Sequence, residues 1–504
     1  MTVGDVLRRA AERVPDRLGL VDANTPDGQR WTFAELLAEC ELVARGLLSR
    51  FEPGERVAAC IPNRPELVLL QFGTALAGLT LVPVNPLLRR GELGFVLRQS
   101  GAAGILVADE HRGHRLAQSV AALAPELPLL RETIVPGDGW AALRDGATDT
   151  ALPAVDPDAL GQVQYTSGTT GHPKGVLITH RAMVLTAEAF AEREEISDGA
   201  AWINPMPLFH TAGNVLGTLG AAWACAPHVV LAFTAERTLA AMAEHRPGMV
   251  SAAPTLLHAM LEHPGFADVD TEAVEVVMTG GSTVEPSFVR RVEAGFGAKL
   301  SITFGMTETC GAAMVTSPSD TQADRETTVG RPLPHTEVRI AETGELCLRG
   351  PRVTRGYNDL PEETARAIDA EGWLHTGDLA SMDERGYVRV EGRLKDMIKR
   401  GGENIAPAEV EACLAEHPAV AEAAVVGLPD PHWGEVVVAY VRPSAAAPDV
   451  DELVAHCREH LASFKLPRRW AFVEAMPLTA SGKIRRTELR ERAAADPDAL
   501  ISAS

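Results

Sequence analysis

From residue 57 onward, apolar runs of strand length alternate with segments whose apolar residues recur at helical spacing. The first of these are a strand at 57–61, a helix at 66–77, a strand at 80–84, a helix at 90–99 and a strand at 104–108. Strands joined through helices are typical of a largely parallel sheet that is covered on both faces. The pattern predicts an α/β fold and resumes between residues 181 and 303. The prolines, glycines and aspartates of 130–160 predict a connector.

Beyond residue 330 the sequence changes to short β-like pieces separated by turns, at 337–340, 344–349 and 387–390. The stretch 392–404 is densely charged and lies between two folded segments, so it is predicted to be a domain boundary. The remaining residues are predicted to form a small α+β domain, with helices at 407–417 and 450–461 and strands at 420–427 and 436–441.

Residues 165–176, which read YTSGTTGHPKGV, have the composition of a loop that binds phosphate. Three hydroxyl side chains, two glycines, a proline and a lysine fall between Ser167 and Lys174. Glycine lets backbone N–H groups approach a phosphate closely, hydroxyls donate further hydrogen bonds, and the lysine adds a point charge. An ordinary surface loop is the alternative, since Ser, Thr and Gly gather between elements in most proteins. The lysine precedes Gly175 instead of Ser or Thr, so the loop differs from the common nucleotide-binding fingerprints.

Two predicted strands, at 274–278 and 300–303, each run into a glycine-bearing loop. Ligands of open α/β sheets bind at the carboxyl edge of the strands, so we expect these loops to line one site. Glu308 in the second loop is a natural ligand for the magnesium ion of a nucleotide, which takes only one or two protein carboxylates. The alternative is a solvated loop acid.

Two further polar side chains stand beside small residues. His210 follows a predicted strand that ends in prolines, and it either lines a pocket or is an ordinary structural histidine. Asp378 follows a Thr-Gly turn. There its carboxylate can accept hydrogen bonds from both hydroxyls of a ribose, or it is simply a turn residue.

The composition restricts the partners of the protein. A formal net charge of −21 argues against binding to nucleic acid or to an anionic membrane surface. The seven cysteines are scattered and odd in number, as expected of a protein in a reducing compartment without structural zinc. The N-terminus lacks the basic and apolar segments of a secretory signal, and no apolar span reaches membrane length. A cytoplasmic protein is therefore predicted.

Lysine is rare in this chain, which has six lysines among its 47 basic residues. A background that favours arginine makes each lysine more informative, because lysine is a compact donor on a thin stem. Four of them, Lys174, Lys395, Lys399 and Lys483, lie in or beside glycine-containing tracts and are candidates for function.

In this order, from Trp31-Thr32-Phe33 to Lys483, the motifs resemble those of the AMP-forming adenylating enzymes. These include acyl- and aryl-CoA synthetases, adenylation domains and luciferases. The resemblance implies a large N-terminal domain of parallel α/β layers with a small β-barrel-like subdomain, followed by a small mobile α+β domain. The implied boundaries are 1–393 for the first domain, 394–396 for a hinge that includes Lys395, and 397–504 for the second.

The resemblance also implies roles for individual residues. The implied ATP contacts are Thr166, Ser167, Gly168, Thr169, Gly171, Gly281, Ser282, Phe304, Thr307, Asp378 and Arg393. Phe304 stands where the family most often has a tyrosine, so stacking on adenine is retained and a phenol hydrogen bond is not. The implied catalytic residues are Thr170, Lys174, His210, Glu308, Lys399 and Lys483, with Glu308 as the Mg²⁺ ligand. Lys483 would bridge the carboxylate and the α-phosphate, and Lys399 would assist transfer to a thiol after a rotation of the C-terminal domain.

The implied reaction is ATP-dependent activation of a carboxylic acid as its acyl-adenylate, followed by transfer to coenzyme A. The implied acyl pocket is lined by His210, Ala212, Gly213, Asn214, Ser282, Thr303 and Cys310. Small residues at 212 and 213 leave space, Thr303 narrows it, and the set offers no basic residue besides His210 for a second carboxylate. We therefore expect a mostly apolar acid, aromatic or medium-chain. The protein itself is expected to be a monomer or a homodimer.

Three alternatives remain open at this point. The acyl-adenylate could pass to the thiol of a carrier protein, or AMP could activate nitrite for the diazotisation of an aryl amine. A catalytically silent nucleotide-binding protein is the third, although the presence of Lys174, Glu308 and Lys483 together argues against it.

Overall fold

The computed structural model describes residues 1–166, 173–282, 284–394, 396–400, 403–479 and 484–502. The strands are β1 Leu18–Asp22, β2 Arg30–Thr32, β3 Arg56–Cys60, β4 Thr80–Pro83, β5 Gly104–Val107, β6 Glu110–His111, β7 His114–Arg115, β8 Glu132–Ile134, β9 Leu160–Thr166, β10 Lys174–Thr179, β11 Trp202–Asn204, β12 His228–Val230, β13 Met249–Ser251, β14 Val276–Gly280, β15 Lys299–Phe304, β16 Met314–Val315, β17 Arg331–Pro332, β18 Glu337–Ile340, β19 Glu345–Arg349, β20 Leu374–Met382, β21 Val388–Arg393, β22 Ile398–Arg400, β23 Glu403–Ile405, β24 Val420–Asp430, β25 Gly434–Pro443, β26 Arg469–Phe472 and β27 Ile501–Ser502.

The helices connect these strands on both sides of the sheets. They are α1 Val3–Arg13, α2 Phe33–Leu48, α3 Pro65–Leu76, α4 Arg90–Ser100, α5 Leu116–Leu123, α6 Asp138–Asp145, α7 His180–Arg193, α8 Gly220–Trp223, α9 Ala235–His245, α10 Pro254–Leu261, α11 Pro286–Phe296, α12 Gln322–Thr327, α13 Pro361–Ala367, α14 Pro407–Ala415, α15 Val450–His460 and α16 Arg486–Ala495. A π-helix at Ala212–Leu219 precedes α8, and a short 3-10 turn at Thr307–Thr309 follows β15.

Two sheets carry the predicted parallel architecture. The first has the strand order β8-β5-β3-β4-β9-β10 and is parallel except for the β9–β10 pair. The second has nine strands in the order β2-β1-β12-β11-β13-β14-β15-β16-β17, parallel from β1 to β15 and antiparallel at its two ends. The strand–helix alternation read from the sequence therefore predicts the main body correctly.

Two further sheets follow, one of four strands and one of six. Strands β18 to β21 form a four-stranded antiparallel sheet in sequence order, which is the small β subdomain expected after residue 330. Strands β22 to β27 form a last sheet that has apolar clusters on both sides, and α14, α15 and α16 contribute to them. This is the predicted α+β arrangement of the C-terminal residues.

Two local expectations were wrong. The stretch 130–160 is not a plain connector, because it contains β8 and α6. Trp140 and Leu143 are spaced as one face of a helix and are buried, and the main chain at Leu143 packs against Gly46 of α2. Asp378 does not lie in a turn: it is within β20 and pairs with Arg393 of β21.

Among the described residues, no helix combines the length and the apolar character that crossing a bilayer requires.

A buried acid at the end of α7 makes the stability of the fold depend on pH. Glu194 is completely buried, accepts a hydrogen bond from the Ser301 hydroxyl at 2.9 Å, and its Oε2 has no partner among the described residues. Burial raises the pKa of Glu194 to about 8. The side chain is therefore protonated in the folded protein at neutral pH.

We expect Glu194→Gln to stabilise the protein increasingly as the pH rises. Above its ordinary pKa of 4.5 the unfolded chain loses the Glu194 proton and the folded chain keeps it. The contribution of Glu194 to the free energy of unfolding is fully present below pH 4.5 and decreases as the pH rises to the folded-state pKa of about 8. Glutamine at this position does not titrate, so the variant does not lose this stability. The difference in the free energy of unfolding between the variant and the wild type should grow by about 3 kcal/mol between pH 5 and pH 8. Urea unfolding at the two pH values measures it, and a constant gap would contradict the assignment.

Candidate active site

Two separate sequence motifs meet at a tyrosine. The Nζ atom of Lys174 lies 2.5 Å from Oε2 of Glu363 and 5.0 Å from the centroid of the Tyr357 ring. The Tyr357 hydroxyl in turn donates a hydrogen bond of 2.8 Å to Oε1 of Glu308. The Tyr357 side chain thus joins Lys174, the last residue of the predicted phosphate loop, to Glu308, the predicted metal ligand.

The main chain explains why they meet. Residues 354–358 run alongside β10: Tyr357 forms a bridge with Val176, and the Leu177 N–H donates to the Gly356 carbonyl at 3.0 Å. The Thr354 N–H donates to the carbonyl of Glu308 at 2.7 Å. The segment is therefore bonded on one side to the strand that starts at Lys174 and on the other to the Thr307–Thr309 turn.

Lys174, Tyr357 and Glu308 form what we call the junction, and the charges there fit a metal–nucleotide complex. Burial, together with the neighbouring Glu308 carboxylate, raises the pKa of Tyr357 well above its ordinary value, so the phenol stays a hydrogen-bond donor. Glu308 is itself buried and offers a hard oxygen ligand with acceptor capacity beyond its bond to Tyr357. Since Mg²⁺ on a nucleotide takes one or two protein carboxylates and completes its shell with phosphates and water, the residues present fit this ion.

The loops after β14 and β15 lie side by side, as the sequence predicts. Gly280 is opposite Thr303 in the register, and a Cβ atom on Gly280 would lie 2.2 Å from the Thr303 carbonyl oxygen, so only glycine permits this approach. Ser282 is exposed, Phe304 is half-buried at the end of β15, and Thr307 opens the 3-10 turn that carries Glu308. The structure brings these residues to one edge of the sheet, and their nucleotide contacts stay predictions.

On the small β subdomain, Nε of Arg393 donates to Oδ1 of Asp378 at 2.8 Å. Asp378 is 3% exposed, whereas the Arg393 side chain is 44% exposed. The strand before Asp378 is fixed by Glu345, whose Oε1 accepts from the Gly377 N–H at 3.0 Å and whose Oε2 lies 2.9 Å from His375 Nδ1. An ion pair on a well-held strand is suited to orienting a ribose.

Glu345, Cys347 and His375 are the one group of three metal-ligating side chains that comes together within the described part of the chain. The His375 Nδ1 is already within hydrogen-bond reach of Glu345, and the Cys347 Sγ lies 3.7 Å from the same nitrogen. We interpret the group as a hydrogen-bonded support of β20. All seven cysteines of the chain are buried and unpaired.

Four of the predicted acyl pocket residues, His210, Ala212, Gly213 and Asn214, lie at the start of the π-helix. His210 is half-buried, with its ring centroid 4.8 Å from that of Phe209. Cys310 is buried, and burial raises the pKa of its thiol to about 12, so it is not a nucleophile at neutral pH. Thr303 is also buried, and its hydroxyl has no hydrogen-bond partner among the described residues.

The role expected for Gly213 is corrected by the structure. Its missing side chain does not open space, because a Cβ atom there would lie 2.2 Å from the carbonyl oxygen of Pro207. The glycine lets the π-helix pack against main chain.

Several predicted residues cannot be placed in this way. Ser167, Gly168, Thr169, Thr170 and Gly171 of the phosphate loop, Lys395 of the hinge and Lys483 lie outside the described residues. Thr166 is the last residue of β9, opposite Lys174. Lys399 is exposed on β22, and its backbone N–H donates to Oε2 of Glu435 at 2.7 Å.

Sequence reasoning missed Tyr357 and Glu363, which contact Lys174, as well as a set of buried amide side chains around His210 described below. Tyr357 is one of only four tyrosines in the chain and stands after a glycine. That rarity was the available signal, but its contact with Glu308 depends on a long-range pairing that local sequence does not reveal.

The α/β body with a small C-terminal unit, and the contact of Lys174 and Glu308 with Tyr357, agree with the class of adenylating enzymes that the motifs resemble. The chain belongs to the AMP-binding enzyme family. The family model of the AMP-binding enzyme matches residues 7–358, and that of the AMP-binding enzyme C-terminal domain matches residues 409–483.

Named relatives extend over the whole chain. A propanoyl:CoA ligase of Rhodococcus jostii, whose acyl group carries a 7a-methyl-1,5-dioxo-octahydro-1H-inden-4-yl ring system, is 36% identical over 97% of this chain and 98% of its own. The mitochondrial medium-chain acyl-CoA ligase of Rattus norvegicus is 34% identical over 97% of this chain and 87% of its own. The crystal structure of the anthranilate CoA ligase AuaEII with anthranoyl-AMP superposes with a TM-score of 0.91 at 25% identity, covering 99% of this chain and 98% of that one.

These findings confirm the predicted family, the α/β fold class with its small C-terminal part, and the enzyme class of AMP-forming acid–thiol ligases.

Proposed function

We propose that the protein uses ATP and Mg²⁺ to convert a carboxylic acid into its acyl-adenylate, releases pyrophosphate, and transfers the acyl group to the thiol of coenzyme A. The observation that carries this proposal is the meeting of Lys174 and Glu308 through Tyr357. A carboxylate that attacks a polyphosphate brings one anion to another, so the transition state needs positive charge around the phosphates. The junction supplies a cation and a ligand for a divalent metal at one place.

The residues divide the work as follows. Glu308 holds Mg²⁺, and this ion, when bound, offsets charge on the departing phosphates. Lys174 orients the polyphosphate, and Tyr357 orients the carboxylate of Glu308. The remaining nucleotide contacts are assigned to Thr166, Ser167, Gly168, Thr169, Thr170, Gly171, Gly281, Ser282, Phe304, Thr307, Asp378 and Arg393.

The two half-reactions use two positions of the C-terminal residues. We assign 1–393 to the N-terminal domain, 394–396 to the hinge around Lys395, and 397–504 to the mobile domain. Lys483 serves adenylation, and rotation at the hinge withdraws it and brings Lys399 to the acyl group for thiol attack. Support comes from the family resemblance and from the exposure of Lys399 on β22.

We assign the substrate to the mostly apolar acids, aromatic or medium-chain. Ala212, Thr303 and Cys310, which we assign to the pocket wall, are buried or half-buried, and the thiol of Cys310 carries no charge at neutral pH. His210 is the one residue of the predicted pocket set that could become a cation. A second carboxylate on the substrate would therefore meet little compensation. The relatives named for medium-chain acyl groups and for anthranilate are consistent with this assignment.

A panel of acids tests the proposal. Each acid is scored by ATP–pyrophosphate exchange and by pyrophosphate release, with and without coenzyme A. We expect exchange with aromatic or medium-chain monocarboxylic acids, and a thioester product once coenzyme A is added.

Three outcomes would contradict the proposal. Exchange only with amino acids or dicarboxylates would reject the substrate class. Turnover only with a carrier protein, or only with nitrite and an aryl amine, would reject coenzyme A as the acceptor. The absence of exchange with every acid would favour a silent nucleotide-binding protein.

A further inference from the structure

The wall that carries His210 is buried main chain without helix or strand. Residues 205–211 connect β11 to the π-helix, and all of them are buried or half-buried. Buried backbone groups need hydrogen-bond partners, and here the regular ladders of helix and sheet cannot supply them. Something else must hold this wall in one conformation.

Five buried carboxamide side chains do so, and we call them the amide frame: Asn63, Gln71, Gln164, Asn204 and Asn214. Asn63 donates to the Met206 carbonyl at 2.8 Å and accepts from the Leu208 N–H at 2.9 Å.

The other four members complete the frame. Asn204 accepts from the Met206 N–H at 3.2 Å and donates to the Gly213 carbonyl at 2.9 Å. Asn214 donates to the Leu208 carbonyl at 3.0 Å, and Gln71 donates to the carbonyl of Asn214 at 3.0 Å. Gln164 donates to the Phe209 carbonyl at 2.7 Å.

Gln164 differs from the other four in its position. It lies on β9, two residues before Thr166, where the chain enters the predicted phosphate loop. Its acceptor, the Phe209 carbonyl, is the peptide group that leads to His210. Side chains alternate along a strand, so Gln162, Gln164 and Thr166 share one face of β9. Gln162 donates to Oε1 of Gln164 at 2.7 Å, so the oxygen of the Gln164 amide has a partner while its N–H donates to the Phe209 carbonyl.

We propose that Gln164 is a positioning residue that fixes the acyl pocket wall relative to the phosphate loop. It does not touch a reacting atom. It joins, by one buried hydrogen bond, the strand that leads into the predicted phosphate loop and the segment that carries His210. This inference rests on the proposed function, since it assigns the acid to the His210 side and ATP to the end of β9.

The chemistry makes this joint sensitive. Attack on the α-phosphate requires the acid to be bound with its carboxylate at near-attack distance, so the wall that holds the acid must stay fixed relative to the nucleotide. A lost bond at Phe209 moves the wall that holds the acid and leaves the nucleotide contacts of the other strands in place. The expected signature is therefore selective: binding of the acid suffers, and binding of ATP does not.

Gln164→Met tests this signature by removing both hydrogen bonds while keeping length and volume. We expect KM for the acid in pyrophosphate exchange to rise at least about 10-fold, with KM for ATP within about threefold of wild type. Gln162→Met is the matched control, because it removes the bond behind Gln164 and leaves the contact with Phe209. Its KM for the acid should stay within about threefold of wild type. Equal increases in both KM values for Gln164→Met, or an unchanged KM for the acid, would overturn the proposal.

Gln164→Glu adds a readout that a purely structural role would not produce. Only the protonated carboxyl can donate to the Phe209 carbonyl, and burial raises the pKa of such a group. The KM for the acid in this variant should fall toward the wild-type value as the pH is lowered, whereas Gln164→Met should show no such recovery. A pH profile parallel to that of Gln164→Met would overturn the proposal. The Glu variant at low pH also serves if the Met variant does not fold.

Amide hydrogen exchange separates this inference from the proposed function. Without any substrate, Gln164→Met should lose protection at the amides of residues 206 and 208–210 and keep it in β14 and β15. Unchanged protection at these four amides would overturn the inference even if the wild type is an active ligase. If no acid supports exchange in the wild type, the proposed function fails, and the protection pattern still decides whether Gln164 holds the wall.

Discussion

Glu308→Gln is expected to lower kcat for adenylation by about 10²- to 10³-fold. The amide is nearly isosteric and still accepts the hydrogen bond from Tyr357, so the junction with Lys174 should persist. What is lost is the negative charge that holds Mg²⁺ against the departing phosphates. The remaining activity should require a higher Mg²⁺ concentration for half-saturation. Pyrophosphate exchange measured across a Mg²⁺ titration gives both quantities.

Tyr357→Phe is the comparison variant for this experiment. It keeps the Glu308 carboxylate and the aromatic face next to Lys174 and removes only the 2.8 Å hydrogen bond. We expect a smaller loss, about 10-fold, with little change in the Mg²⁺ requirement. If Glu308→Gln retained wild-type kcat and Mg²⁺ dependence, the assignment of the metal ligand would be wrong.

Lys483→Ala is expected to separate the two half-reactions. Adenylation should fall by about 10²- to 10³-fold, because the amine no longer bridges the carboxylate and the α-phosphate. Transfer from a supplied acyl-adenylate to coenzyme A should stay within a few-fold of wild type, since the proposed rotation withdraws Lys483 before the thiol attacks. Single-turnover assays of each half-reaction measure the split.

Lys465→Ala provides the control, since Lys465 is a lysine of the same C-terminal residues and is ion-paired with Glu409. It should affect neither half-reaction strongly. Equal loss of both half-reactions in Lys483→Ala would contradict the two-position scheme.

Local pattern was sufficient for most of the fold. Strand–helix alternation predicts the parallel sheets because apolar periodicity and the βαβ connection are local properties. It failed at 138–145, where two buried residues were too few to outweigh the surrounding glycines and aspartates. It also failed at Asp378, since its pairing with Arg393 is a contact between strands and the Thr-Gly pair before it reads as a turn.

The candidate site was predicted through its motifs, and the structure adds what links them. Lys174, Glu308 and Asp378 stand out by residue type and by neighbouring glycines. Tyr357 is recognised only once residues 354–358 are seen to pair with β10. In the sequence, Gln164 is one polar residue of a strand. Its proposed positioning role depends on a hydrogen bond to the carbonyl of Phe209, which is distant along the chain.

The contact of Gly213 with the Pro207 carbonyl has a consequence for how substrate range can change. A side chain at 213 would meet the peptide backbone of Pro207 and push the π-helix off its support, so this position does not tolerate a larger residue. In the proposed acyl pocket we therefore expect changes in selectivity to arise at positions 212, 303 and 310, and not at 213. A library directed at those three positions should shift acid preference while leaving the protein folded, and one directed at 213 should mostly yield unfolded variants.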